Sequence, residues 1–265
     1  MRTIRLGSLL CALLPALSPL PAWAADAGWS GRLAAGVGAR PDYLGSKDME
    51  LAPYFAGNLT YGRYFLEVQG KEISLGMSLA SGLSLGVIAD IESGRDDSVK
   101  NDRVALLPEI DDAFQAGVFA AYAWKGVFGR ADSLTLDASY LADVSDTHDG
   151  SIGSLGLAYG RKLGDRWSVG GGVRLTYVDE DYAQTYFGIS PAAAAASGLP
   201  AHDAGGGIRD VGLFAKVGYA LDENWSIQVL GSYKQLLGDF KDSPVVDQEG
   251  RASQFSGAVA LGYRF

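Results

Sequence analysis

Cysteine is all but absent from this chain, its single copy, Cys11, standing among the first two dozen of 265 residues. A disulfide framework and a cysteine-rich zinc or iron–sulfur site are therefore excluded. Histidine is nearly as scarce, so any catalytic imidazole must come from His148 or His202. Two histidines without nearby cysteines give no metal signature, and carboxylates alone suit Ca²⁺ or Mg²⁺ rather than zinc. Positive charge is short as well: 22 Lys+Arg face 31 Asp+Glu, a formal charge of -9, which leaves no basic footprint for nucleic acid. Beyond the N-terminal segment, no run approaches the ~18 apolar residues of a membrane-spanning helix. No cofactor is implied.

Glycine, by contrast, is abundant at 36 residues, without a collagen period, and 13 Tyr and 10 Phe accompany it. The first residues read as a secretory signal. Arg2 and Arg5 precede the apolar run Leu9 to Leu17, Pro19 and Pro21 break it, and Ala22-Trp23-Ala24 supplies the small residues of a cleavage site. Cleavage after Ala24 leaves residues 25–265 as one domain, and losing two arginines takes the charge from -9 to -11.

What recurs in that domain is alternation with a period of two. Phe255, Gly257, Val259, Leu261, Tyr263 and Phe265 share one face of the last segment, opposite Ser256, Ala258, Ala260, Gly262 and Arg264. The segments beginning at Trp167 and Trp225 repeat the design, and their length suits a tilted strand crossing a bilayer better than a sandwich strand of about 5 or 6 residues. Trp29, Trp124, Trp167 and Trp225 stand at segment ends, where an interfacial girdle places amphipathic rings. Short and long connections alternate. The pattern predicts a transmembrane antiparallel up-and-down β-barrel with strands near 28–38, 50–61, 64–69, 72–79, 82–90, 113–124, 134–142, 152–160, 167–177, 209–220, 225–236 and 254–265. With both termini periplasmic the count must be even: twelve if 64–79 splits at Gly70-Lys71, ten if that region does not span. In the longest external link, Ser190-Pro191, an alanine run and Gly198 predict a short helix.

Several segments carry a resemblance. Pro41 to Ser46 (PDYLGS), Asp181 to Ser190 (DYAQTYFGIS), Ser197 to Leu213, Asp242 to Val246 (DSPVV) and the terminal Gly262-Tyr263-Arg264-Phe265 resemble the family of the MltA-interacting protein and outer membrane protein V (MipA/OmpV). The resemblance implies an outer-membrane location among lipid and lipopolysaccharide. For the best-known member it also implies a scaffold joining a lytic murein transglycosylase to a bifunctional penicillin-binding protein.

Two surfaces are candidate sites. On the external side Asp179, Glu180 and Asp181 lead into Tyr182, Tyr186 and Phe187, an acidic rim beside aromatic rings that would suit a cationic amphipathic ligand such as a cationic peptide. The alternative is that the rings only pack the loop. Further acids from Asp96 to Glu249 fall on external links and add to one field. On the periplasmic side the link from Lys125 to Ser133, with Lys125, Val127, Phe128 and Arg130, is the one sizeable surface for a murein-enzyme contact. A narrow diffusion channel, lined by small polar positions such as Ser168, Ser226 and Gln228, is the second reading. An outer-membrane hydrolase using His148 within Asp146-Thr147-His148-Asp149 is the third, and the chain is expected not to be an enzyme.

Overall fold

The computed structural model describes residues 28–265; the signal segment expected at 1–24 lies outside the described residues. Twelve strands form a closed antiparallel barrel: β1 (Trp29–Pro41), β2 (Met49–Tyr61), β3 (Tyr64–Gln69), β4 (Glu72–Ser78), β5 (Leu83–Glu92), β6 (Ala113–Lys125), β7 (Asp132–Asp143), β8 (Ser151–Leu163), β9 (Trp167–Val178), β10 (Gly207–Ala220), β11 (Trp225–Leu236) and β12 (Ser253–Arg264). Each pairs with its sequence neighbours, and β1 closes the ring on β12 with Val37 opposite Val259. The region 64–79 does split in two, at a turn where Gly70 has φ 64°. That left-handed conformation is one glycine adopts without a Cβ clash.

The alternation read from the sequence becomes an outside and an inside. Phe255, Val259 and Leu261 of β12 are each about half exposed and point outward, as do Val173, Tyr177, Ile227 and Val229 on neighbouring strands. Inside, Arg174 meets Asp137 at 2.8 Å. In water so much exposed apolar surface would be a liability, whereas in lipid it is the solvated face. The four strand-end tryptophans all gather at the periplasmic end, each packed at a tilt against a tyrosine. Trp29 pairs with Tyr61, Trp124 with Tyr122 and Trp167 with Tyr219 at 4.7 Å between centroids, and Trp225 pairs with Tyr263 at 4.8 Å.

The apolar core is at the external mouth, not between sheets. It is built by loops carrying four helices: α1 (Glu180–Phe187), α2 (Pro191–Ser197), α3 (Gly238–Asp242) and α4 (Pro244–Asp247). Helix α2 is the one the sequence predicts, with Ser190 Oγ accepting the Ala193 N–H and Gly198 at the C-cap. The other three are additions to that reading. Tyr182, Phe187, Phe240 and Val246 pack into one buried cluster, and Tyr43, Val104, Ile189, Leu199 and Val245 into a second. Together they make a dome over the barrel.

Candidate functional site

Helix α1 anchors the dome to the wall. Asp179 caps it, its carboxylate accepting the Tyr182 N–H at 3.2 Å and the Ser151 hydroxyl at 2.7 Å. Glu180 and Asp181 occupy the first turn, where negative charge offsets the helix dipole, and both are exposed. Spacing of three and four puts Tyr182, Ala183, Tyr186 and Phe187 on the opposite face, which is buried. The aromatic residues predicted to touch a ligand therefore lie beneath the acids rather than beside them. Burial pushes both tyrosine hydroxyls well above the ordinary phenol range.

A β-bulge completes the anchor. The β9–β10 register shifts between Ile208 and Asp210, so Arg209 is the extra residue and turns inward together with Asp210. Arg209 Nε donates to Asp210 Oδ2 at 2.8 Å, its Nη1 donates to the Tyr182 hydroxyl, and Glu92 lies 3.8 Å away. Its guanidinium also sits over the Tyr182 ring, 5.4 Å from the centroid. Arg209 and Asp210 are 5% and 1% exposed, so this is a buried ion cluster riveting α1 to β10 and to the top of β5. Sequence reasoning singled out the segment holding Arg209 but assigned the residue no role.

The histidines hold loops in place. Asp143 Oδ2 accepts the backbone N–H groups of Thr147, His148 and Asp149 at 2.7, 2.6 and 3.1 Å, winding the β7–β8 link around one carboxylate. His148 is 3% exposed, and its Nδ1 accepts the Gly150 N–H at 3.0 Å. The proton of the neutral ring is then on Nε2, 3.0 Å from the Gln115 amide nitrogen. Turning that amide so its oxygen faces the ring gives the proton an acceptor and engages an oxygen otherwise buried without one. The rings of Tyr182 and Tyr186 pack on His148 at 5.1 and 5.7 Å. His202 Nε2 faces the Asp239 carbonyl at 3.1 Å, and its backbone bridges Ile189.

At the other end, the β6–β7 turn is tied down by Asp132, which accepts the Phe128 N–H at 3.1 Å and the Tyr159 hydroxyl at 3.0 Å. Phe128 is 75% exposed, edge-on to Tyr159. Val127, Lys125 and Arg130 are exposed around it. Between the two ends lies a lumen cavity of about 1290 Å³, whose lining includes Ser168, Ser226 and Gln228.

A profile described as MltA-interacting protein MipA matches residues 33–265. The chain belongs to the MipA family. YiaT of Escherichia coli (strain K12), which is named as an outer membrane protein, is 30% identical over 172 residues, 64% of this chain and 65% of that one. The chain thus spans just under two thirds of that relative. Among solved structures, the COG4313 outer membrane channel from Pseudomonas putida F1 is similar at 12% identity and a TM-score of 0.48, over 90% of this chain and 96% of that one. OmpT, an outer membrane protein of Vibrio cholerae, is similar at 9% identity and a TM-score of 0.41, over 89% and 96%. This member of the MipA family is an outer-membrane barrel, and all of the segments that carried the resemblance except the terminal Gly262-Tyr263-Arg264-Phe265, which ends β12 at the periplasmic side, contribute to the dome. Tyr43 and Ser46, helix α1, Arg209 with Asp210, and Ser243 to Val246 all converge on the external mouth.

Proposed function

We propose that this barrel is an outer-membrane anchor that presents its β6–β7 turn to a murein-processing enzyme of the lytic transglycosylase class. The observation that carries the reading is Phe128, held out at 75% exposure on a turn fixed by Asp132, while the external mouth is covered by the dome. Val127 widens the apolar tip, and Lys125 and Arg130 flank it with positive charge. The family name points the same way. A turn of this size falls short of the ~1,000 Å² of a stable interface, so contact is weak and gains from clustering of barrels. A photo-crosslinking residue in place of Phe128, used in intact envelopes, should capture a lytic transglycosylase, and the same residue at Asn224 in the β10–β11 turn should not. Equal capture at both turns, or at neither, overturns the reading.

A bifunctional penicillin-binding protein would join through that enzyme. On the external face the exposed Glu180 and Asp181 support a second reading, retention of cationic peptides by charge, with Asp179 occupied as a cap and Tyr182, Tyr186 and Phe187 buried beneath.

A further inference from the structure

The barrel wall is uneven in height. β3 and β4 have 6 and 7 residues, while β1 and β2 each have 13. At ~3.4 Å per residue and a tilt near 40°, β3 rises only about 16 Å, well short of the ~25 Å apolar band of an outer-membrane barrel. The ladder between β2 and β3 ends at Ala56 opposite Gln69, so Met49 to Tyr54 have β1 as their one strand partner, and at the upper corner the Lys100 side chain of the β5–β6 link donates to the Met49 carbonyl. Across the gap, the β4–β5 ladder ends at Ile73 opposite Ala89.

The backbone shows which side is open. Phe55 C=O accepts the Gly70 N–H at 2.8 Å, so its peptide groups face β3. In an extended strand every second residue points the same way, which turns the nitrogen of Pro53 toward the gap. Proline has no N–H to lose there, and within a sheet it is confined to such edges. Strand length and proline position thus mark one notch in the outer-leaflet half of the wall, three strand spacings or ~14 Å wide. Bare edge groups at that depth are tolerated where they line a wet cavity. The lumen cavity reaches Pro53 and Gly70 on the notch rim and extends to the periplasmic turn at Asn224.

Its lining mixes the rings of Tyr54 and Phe214 with the cations Arg32 and Lys216 and the carboxylate of Glu67 beside them, two positive charges to one negative. Pro53 pairs with Val37, five residues above Arg32 on β1, a distance of ~17 Å along the strand. We propose that the notch between β2 and β5 is a lateral port for a single-chain amphiphile with an anionic headgroup. The chain enters from the outer leaflet past Pro53, and the headgroup settles by Arg32 and Lys216. This goes beyond the anchor reading and does not depend on it.

Ala52 and Ala258 both pair with Gly38, so they line the same cavity at one level, Ala52 at the notch and Ala258 away from it. Ala52→Cys and Ala258→Cys barrels, labelled with a small fluorophore in vesicles of brominated phosphatidylcholine and checked for heat-modifiable gel mobility, separate the possibilities. Quenching at Ala52→Cys approaching that of a lipid-facing Leu51→Cys label, with little at Ala258→Cys, is the expected result. Quenching at neither lumen position, or equally at both, overturns the port. So does a two-chain mass with Ala52→Cys unquenched, since a second copy then seals the notch. Native mass spectrometry with dodecanoate should show an adduct that weakens about tenfold, ~1.4 kcal/mol, in the Arg32→Gln/Lys216→Gln double variant but not in Lys125→Gln. Equal adduct in all three, or equal binding of neutral dodecanol, removes the anionic headgroup from the proposal.

Discussion

Arg209 illustrates how a single residue can matter more than its surroundings in the sequence reveal. Its guanidinium is nearly fully buried, answered by Asp210 and Glu92 and by the Tyr182 hydroxyl. Removing the cation leaves the buried Asp210 carboxylate and that of Glu92 without their shared partner, so Arg209→Met should cost about 3–5 kcal/mol. The measurement is urea unfolding of the refolded barrel, with loss concentrated in the dome by hydrogen exchange. A change under ~1 kcal/mol would mean the cluster contributes little beyond its desolvation cost. Nothing in Gly206-Gly207-Ile208-Arg209-Asp210 announces this role, because the inward turn of Arg209 comes from a bulge, and bulges are set by pairing with β9. Gly45, inside the recognised PDYLGS segment, is legible only after the fact. It sits at φ 99°, and a Cβ there would meet Val246 Cγ2 at 2.6 Å. Gly45→Ala should therefore destabilise the dome by roughly 1–3 kcal/mol, read as a lower unfolding midpoint in the same assay.

At the level of elements, the strands were legible and most of the helices were not. Alternation survives in the sequence because lipid on one side and lumen on the other impose it on every strand, and the split at Gly70-Lys71 followed from parity. Helix α2 carried its cap, its proline and its glycine in plain view. Helix α1 carried signals too: Asp179 as cap, two acids in the first turn, and apolar residues at 182, 183, 186 and 187. Read for ligand chemistry, those residues became a rim and a ring cluster; read for helical period, they are one amphipathic turn pair packed inward. Helices α3 and α4 have five and four residues, too short for a period to show. The strand reading has a direct consequence at Val259, 53% exposed in mid β12 and opposite both Val37 and Val229. Val259→Arg should cost about 2–4 kcal/mol, whereas the same change at Tyr263 in the periplasmic girdle should cost less than ~1 kcal/mol. Equal costs would mean that the two positions lie at the same membrane depth.

For the molecule as a whole, the closed external mouth depends on ties between loops that are distant in sequence. Arg103 in the β5–β6 link reaches Glu249 in the β11–β12 link at 2.6 Å, and Asn101 donates to the other carboxylate oxygen at 3.0 Å. The Arg103 side chain also donates to the carbonyls of Ser197 and Gly198, so three loops meet there. The amide of Asn101 first, and then Arg103, hold the Glu249 carboxyl below its ordinary range against an opposing effect of desolvation. A carboxyl depressed in the folded state contributes stability above its ordinary pKa of ~4.3, and that contribution is lost as pH falls through the lower folded value. The tie is thus intact at neutral pH and dissolves in acid, where protonated Glu249 resembles glutamine. Wild type and Glu249→Gln should therefore differ in hydrogen-exchange protection around Val104 at pH 7, with the variant the less protected, and converge in strong acid once intrinsic exchange rates are corrected for. Planar-bilayer recordings on the same pair should show more frequent openings for the variant at pH 7. A difference that persists undiminished into strong acid would assign the effect to shape rather than charge, and the dome would then be held by its apolar clusters alone.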